Sequence, residues 1–122
     1  MPWDLKSDRP IYTQLIEQIE LKILSGEFPP GARLPSVRDM AQEASVNPNT
    51  MQRALAKLEE DGLVVTHRTI GRTITEDADM IKQLKYQLAK SQIAEFIEKM
   101  KSMGFEKREI LDLIVKMLEE MK

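Results

Sequence analysis

The sequence predicts a mostly α-helical α+β fold, in which an N-terminal winged helix-turn-helix is followed by a two-helix C-terminal tail. Apolar residues recur at spacings of three and four in five segments, as they do on one face of an α-helix. Two of these segments are short and are joined by a tight connection at residues 45–47, which is the organisation of a helix-turn-helix. Further on, residues 63–67 and 73–75 are rich in β-branched side chains and flank a glycine-containing turn at 68–72, which indicates a β-hairpin.

The starts of the first three helices are marked by residues with clear conformational preferences. Pro10 suits the first turn of the first helix, because its fixed φ and missing N–H are tolerated there. Ser36 is expected to cap the second helix. Asn47 as N-cap and Pro48 as first helical residue mark the start of the third. Between the first two helices, three prolines and a glycine predict a stiff loop, in which residues 33–34 can pair as a very short strand.

The third helix divides into an apolar and a polar face. The apolar side chains, which are expected to pack inward, are Met51, Ala54, Leu55 and Leu58. On the opposite face, Asn49 and Gln52 can pair with adenine and Arg53 with guanine, and a good bidentate pair contributes about 1–3 kcal/mol of discrimination. Lys57 lies one turn further on and is placed to reach a phosphate. An exposed helix face must be polar for solubility in any case, so this helix alone leaves DNA contact and plain solvation both open.

Composition excludes several classes of function. The 122 residues contain no cysteine and a single histidine, His67, so thiol nucleophiles, zinc ribbons and sites of several imidazoles are excluded. We expect no metal, no cofactor and no enzymatic activity, and we interpret His67 as a strand-end or DNA-facing residue. Eighteen basic and twenty acidic residues argue against binding by bulk positive charge, so a nucleic-acid site must be local. No apolar run approaches the roughly 20 residues that cross a bilayer, and the N-terminus lacks a basic and then apolar leader, so we expect a cytoplasmic protein without a membrane partner.

The tail predicts a homodimer. Two amphipathic helices without a sheet cannot bury their apolar stripes on each other alone, and 47 residues are too few for an independent ligand-binding domain. A second copy of the chain is the economical partner, because a twofold dimer also presents two recognition helices to half-sites about one helical turn apart. The residues expected at the dimer interface are Ile81, Leu84, Leu88, Ile93, Phe96, Met100, Ile110, Ile114, Met117, Leu118 and Met121.

Several separated motifs resemble the N-terminal domain of GntR-type bacterial transcription regulators. They occur in order over about residues 9–75, and they read PIYTQL from Pro10, RLPSVRDMA from Arg33, NTMQRAL from Asn49 and LEEDGLV from Leu58. The short two-helix tail, Pro48 and the wing sequence Ile-Gly-Arg are similar to the YtrA-like branch. The resemblance implies a sequence-specific DNA-binding transcription regulator. With the dimer expected from the tail, we expect a homodimeric repressor of a nearby operon. In the YtrA-like branch the regulated genes often encode ABC transporters, so the resemblance implies an operon of that kind.

The resemblance also implies which residues bind DNA. Arg38 matches the arginine of the second helix that meets a phosphate or base edge, and the wing tip that enters the minor groove matches Arg68 and Thr69. Pro48 stands where many relatives have an arginine, so one frequent base contact is absent. The full set of expected DNA-binding residues is Arg33, Ser36, Arg38, Asn47, Asn49, Thr50, Gln52, Arg53, Lys57, His67, Arg68, Thr69 and Arg72.

Residues 1–75 are thus interpreted as the DNA-binding domain and residues 76–122 as the dimerisation tail. Two alternatives stay open. The first is a winged-helix protein-interaction module that has lost DNA binding. The second extends the regulator: a small-molecule effector sits between the winged helix and the tail, which then couples the effector to DNA binding. Trp3 has two interpretations as well, a cover over the first helix or a contact with the partner subunit.

Overall fold

The computed structural model describes residues 3–121 and confirms the predicted α+β class. The described elements are α1 (Ile11–Leu24), α2 (Val37–Ala44), α3 (Pro48–Glu60), β1 (Val64–His67), β2 (Gly71–Ile74), α4 (Ala78–Ser102) and α5 (Lys107–Glu120). Strands β1 and β2 form an antiparallel hairpin, which is the wing that follows the helix-turn-helix.

The core of the N-terminal part lies between the first three helices and the hairpin. Its fully buried side chains include Leu15, Ile19, Met40, Met51, Leu55, Leu58, Val64 and Ile74. All four residues expected on the inner face of α3 are buried, as the helical spacing predicted. Complete burial of an aliphatic side chain contributes about 1.5–3 kcal/mol, so this core fixes α3 firmly on its own domain.

Local signals set the helix ends of the helix-turn-helix. The Ser36 hydroxyl accepts the Asp39 N–H at 3.1 Å, and the Asn47 side-chain oxygen accepts the Asn49 N–H at 2.7 Å. Between the two helices Ser45 adopts φ +57°, a left-handed conformation that ends α2 and lets α3 begin three residues later. Pro10 differs by one position from the prediction: it is the N-cap of α1, with extended backbone, and the helix begins at the following residue.

The hairpin turn is shorter than predicted. The second strand begins at Gly71, two residues before the expected start, and the turn comprises residues 68–70 alone. Gly71 has φ +88° and is paired with His67, so the left-handed conformation available to glycine lets pairing begin directly after the turn. Arg72 therefore lies in β2 and not in the turn. The predicted short strand is confirmed, because Arg33 bridges β2 at Thr73.

A lysine is buried in the apolar face of α1, which the sequence analysis did not predict. Lys22 is 1% exposed, and its ammonium lies 2.8 Å from the Glu27 carboxylate. The same ammonium lies 4.8 Å from the centroid of the Trp3 ring. The Trp3 indole also donates to Glu43 of α2 at 3.2 Å. Trp3 thus lies against α1 of its own chain, in agreement with the first of its two interpretations.

The chain divides into two compact units, residues 1–83 and 84–122, of which residues 1, 2 and 122 lie outside the described part. The division falls inside α4, eight residues beyond the predicted domain boundary. Within the second unit, Gly104 separates the helices with φ +95°, and the Glu106 side chain caps α5 together with Glu109. The assignment of residues 1–75 to DNA binding and 76–122 to dimerisation stays a prediction.

Candidate nucleic-acid interface

The outward face of α3 is polar and open to solvent. Asn49, Gln52 and Arg53 are exposed, whereas Thr50 and Lys57 are half-buried at one flank of the helix. The opposite face is held by the core, so the backbone that carries these side chains has a fixed position on its domain. A helix that is anchored on one side and carries many hydrogen-bond donors on the other can contact the edges of base pairs.

On one flank of α3, two cations are held by different kinds of partner. The Arg53 guanidinium lies over the ring of Tyr12, 4.5 Å from its centroid. One turn further on, the Lys57 ammonium lies 3.4 Å from the Asp61 carboxylate. This hydrogen-bonded acid raises the pKa of Lys57, and the charge of Glu60 adds to the effect, so Lys57 is cationic at neutral pH. Both cations are therefore oriented before any ligand arrives.

On the other flank, Glu59 ties the hairpin to α3. Its carboxylate accepts a hydrogen bond from the Thr66 hydroxyl and a second one, at 3.3 Å, from Nε of Arg72. These two hydrogen bonds lower the pKa of Glu59, with Thr66 as the larger cause. The side chain of Arg72 is 20% exposed and already neutralised by Glu59. Arg72 thus joins wing and recognition helix in the free protein, a contact that the sequence analysis did not predict.

The remaining predicted residues are placed along the same unit. Arg68 and Thr69 are exposed at the tip of the hairpin, and Arg33 and Arg38 are exposed on the strand-like segment and on α2. The His67 ring lies 2.9 Å from the Thr73 hydroxyl, which orients it across the hairpin. Two further predicted residues, Ser36 and Asn47, are helix caps whose side-chain oxygens each accept a backbone N–H.

Two residues of this surface were missed from the sequence. By helical spacing Tyr12 falls on the apolar stripe of α1 with Leu15 and Ile19, but it is half-buried and carries Arg53 on its ring. Glu59 begins a run of three acids at the end of α3, and nothing in the run itself distinguishes it from Glu60 and Asp61. The helical spacing gives the only sequence signal: at 100° per residue, Arg53 and Glu59 lie 120° apart around α3, so they face different neighbours.

Other kinds of site find little support in residues 3–121. No group of three or more histidine, cysteine, aspartate or glutamate side chains in this range could hold a metal ion. No helix within it is long and apolar enough to cross a membrane. A depression of about 280 Å³ lies beside the hairpin, and its polar lining includes His67, Thr73 and Glu76.

A short helix-turn-helix with an anchored, polar second helix and a hairpin joined to that helix is the architecture of winged-helix DNA-binding proteins. Comparison with known families gives the particular class. The profile of the family described as bacterial regulatory proteins, gntR family, matches residues 11–74, which is more than half of the chain. The chain therefore belongs to the GntR family, and it is a DNA-binding transcription regulator and not an enzyme.

Individual relatives agree with this assignment. The chain is 40% identical over 107 residues to the uncharacterized HTH-type transcriptional regulator YhcF of Bacillus subtilis, covering 88% of each chain. It is 38% identical over 95 residues to the HTH-type transcriptional repressor YtrA of the same organism, covering 77% of this chain and 73% of the relative.

Solved structures show the same likeness. A GntR family transcriptional regulator from Listeria monocytogenes superposes with a TM-score of 0.86 and 38% identity over 92% of this chain and 98% of that one. The DNA-binding domain of AraR in complex with operator ORE1 matches with a TM-score of 0.53 and 25% identity over 62% of this chain and 94% of that one.

Proposed function

We propose that this protein is a cytoplasmic, homodimeric repressor that binds an operator near the operon it controls, with α3 in the major groove and the hairpin tip in the adjacent minor groove. The observation that carries the proposal is the polar face of α3, on which Asn49 and Arg53 are exposed while the reverse face is buried. The operator-bound AraR domain supports this use of the fold. The relative named a repressor supports negative regulation, and the similarity to the YtrA-like branch supports an ABC-transporter operon.

The contacts divide into those that read bases and those that hold the backbone. Asn49, Gln52 and Arg53 point away from the core and are assigned to base edges. Arg38 and Lys57 are assigned to phosphates. Lys57 exchanges the Asp61 carboxylate for a phosphate when DNA binds, and this exchange limits its net contribution to affinity. Arg72 is proposed to reach a phosphate by the same kind of exchange with Glu59.

Paired substitutions test this division. Arg53→Ala is expected to weaken binding to the selected operator by about 5- to 150-fold per half-site, which corresponds to the ~1–3 kcal/mol of a bidentate pair, and to change binding to random DNA far less. Lys57→Ala is the matched control, because it should weaken binding to all sequences alike and lower the salt slope by about one per protomer. Fluorescence anisotropy at a series of salt concentrations measures both. Equal losses on operator and random DNA for Arg53→Ala would contradict the base contact.

The dimer is proposed to form through the tail. In α5 the apolar residues span an arc of about 200° at 100° per residue, whereas packing on one neighbour uses a stripe of about 100°. Ile110 is buried, but many other apolar side chains of the tail are exposed in the single chain. They are Tyr86, Ile93, Phe96, Met103, Leu111, Leu113, Val115, Met117, Leu118 and Met121. Exposed apolar area of this extent is typical of a surface that a partner covers.

Sedimentation of two charge variants tests the dimer. Leu118 is 65% exposed and lies inside the apolar arc of α5, so Leu118→Glu is expected to shift the full-length chain toward monomer. Lys116 lies on the opposite, polar side of the helix, and Lys116→Glu should leave the dimer intact. A monomeric wild-type chain, or equal sedimentation of the two variants, would contradict an interface on this face.

A small-molecule effector would extend the same function by changing operator affinity. The depression beside the hairpin, at about 280 Å³, lies just below the ~300–1000 Å³ of typical ligand pockets and gives an effector little support. An effector that binds the folded chain raises its stability by about 2.7 kcal/mol at a hundredfold excess over Kd. A ligand-dependent increase in melting temperature, together with reduced operator binding, would establish such a molecule.

A further inference from the structure

Arg53 is held differently from the other cations that flank α3. Lys57 and Arg72 each pair with a carboxylate, Asp61 and Glu59 respectively. Within residues 3–121, Arg53 has no carboxylate partner in a described ion pair, and its guanidinium lies instead over Tyr12 of α1 at 4.5 Å from the ring centroid. That distance is well inside the ~6 Å limit for a cation–π contact.

This difference matters for reading DNA. A carboxylate occupies the N–H donors of a cation and must be released before those donors can reach a base. Stacking on a ring uses the flat face of the guanidinium and leaves its five N–H donors free in the plane, where a guanine edge can accept two of them. Tyr12 can therefore hold Arg53 without competing for the donors that specify sequence.

The ring is also a rigid support. Tyr12 belongs to a helix whose next turns are locked in the core by Leu15 and Ile19, and the Tyr12 ring itself is half-buried. A long, exposed arginine loses substantial rotamer freedom when it is fixed against a base. A ring that restricts Arg53 in the free protein removes part of that loss before the operator is met.

From these contacts we infer that Tyr12 is a positioning residue for sequence recognition, which holds the Arg53 guanidinium with its donors free for a base edge. The inference rests on the proposed function of α3 as the recognition helix. It assigns a specificity role to a residue of α1, a helix that supplies none of the predicted DNA contacts. Tyr12 acts through Arg53, so its effect must vanish when Arg53 is absent.

Two substitutions at Tyr12 separate the effect of its aromatic ring from the effect of its apolar packing in α1. Tyr12→Phe retains the aromatic face, and Tyr12→Leu retains an apolar side chain without it. With an operator selected by the wild-type chain, Tyr12→Leu is expected to weaken operator binding about two- to fivefold per protomer and to leave binding to a shuffled duplex unchanged. Tyr12→Phe should bind both duplexes within about twofold of the wild type. In an Arg53→Ala background, Tyr12→Leu should have no further effect on operator affinity.

A purely structural role for Tyr12 gives a different pattern. Equal weakening on operator and shuffled DNA, or a loss that persists in the Arg53→Ala background, would overturn the inference. A wild-type chain that selects no sequence would instead overturn the proposed function, and the specificity role with it. The stack itself is tested without DNA, because the ring current shifts the Arg53 Nε–H resonance upfield in the wild type and in Tyr12→Phe. If the Arg53 Nε–H resonance is not shifted upfield in the wild type, or if it stays shifted in Tyr12→Leu, the positioning role is overturned even when the protein binds DNA.

Discussion

The N-cap of the recognition helix provides a test that separates folding from DNA binding. The Asn47 side chain accepts the Asn49 N–H at 2.7 Å, whereas the next two N–H groups of α3 donate to the Asn47 backbone carbonyl, which a substitution retains. Pro48 has no N–H to satisfy, so loss of the side chain leaves one N–H of the first turn without its partner. Asn47→Ala removes the acceptor and is expected to lower the free energy of unfolding by about 1 kcal/mol. For a chain of this length that loss corresponds to a decrease in melting temperature of roughly 4 °C.

Asn47→Asp is the informative partner of the alanine variant. Aspartate caps as well as asparagine, and its charge is favourable at the positive end of a helix, so stability should match or exceed that of the wild type. In the proposed complex with DNA, the same charge faces the phosphates. At about 7 Å in water the repulsion is about 0.6 kcal/mol, which should weaken DNA binding about threefold per protomer.

Urea denaturation, followed by the fluorescence of Trp3, measures the free energy of unfolding of both Asn47 variants. This single tryptophan is a suitable probe because it lies against α1, in the unit that contains the recognition helix. Gln42→Ala, at an exposed position of α2 without a capping role, is the control and should change stability by a few tenths of a kcal/mol at most. If Asn47→Ala is as stable as this control, or if Asn47→Asp binds DNA as tightly as the wild type, the reasoning about the cap is refuted.

Two further predictions concern the core and the wing. Leu58 is fully buried, so Leu58→Ala should lower the free energy of unfolding by about 2–5 kcal/mol, while Leu58→Met should cost less than about 1.5 kcal/mol in the same urea experiment. The pKa of Glu59 is lowered by Thr66 and Arg72, so its contribution to stability is present above the ordinary glutamate pKa and disappears as the pH falls through the lower folded value. Between pH 6 and pH 3 the free energy of unfolding of the wild type should fall by up to about 1 kcal/mol more than that of Glu59→Gln. Stability curves that run parallel over this pH range would contradict the prediction.

The sequence predicted those features that depend on neighbours along the chain. Asn47 and Pro48 mark the start of α3 by their own conformational preferences, and the buried face of α3 follows from helical spacing. The glycine of the hairpin was identified, but its place was not. A glycine with positive φ can stand within a turn or directly after it, and only the pairing of Gly71 with His67 decides between the two.

Features that depend on distant neighbours were missed. Tyr12 and Arg53 are 41 positions apart, and the packing of α1 on α3 alone brings them together. Lys22 is different, because it lies three residues after Ile19 and so falls on the apolar face of α1 by spacing alone. It was overlooked because lysine is seldom buried without a partner, and its partners, Glu27 and the Trp3 ring, lie outside the helix.

Selection of bound fragments from random DNA at fixed salt tests the central claim most directly, namely that the outward face of α3 reads DNA from a twofold dimer. The wild-type chain should enrich an inverted repeat whose half-sites are centred about one helical turn, or roughly 10 base pairs, apart. Arg53→Ala should relax the preference at one position of each half-site while it keeps the spacing. Enrichment of no sequence, or of a single site without a repeat, would contradict the claim.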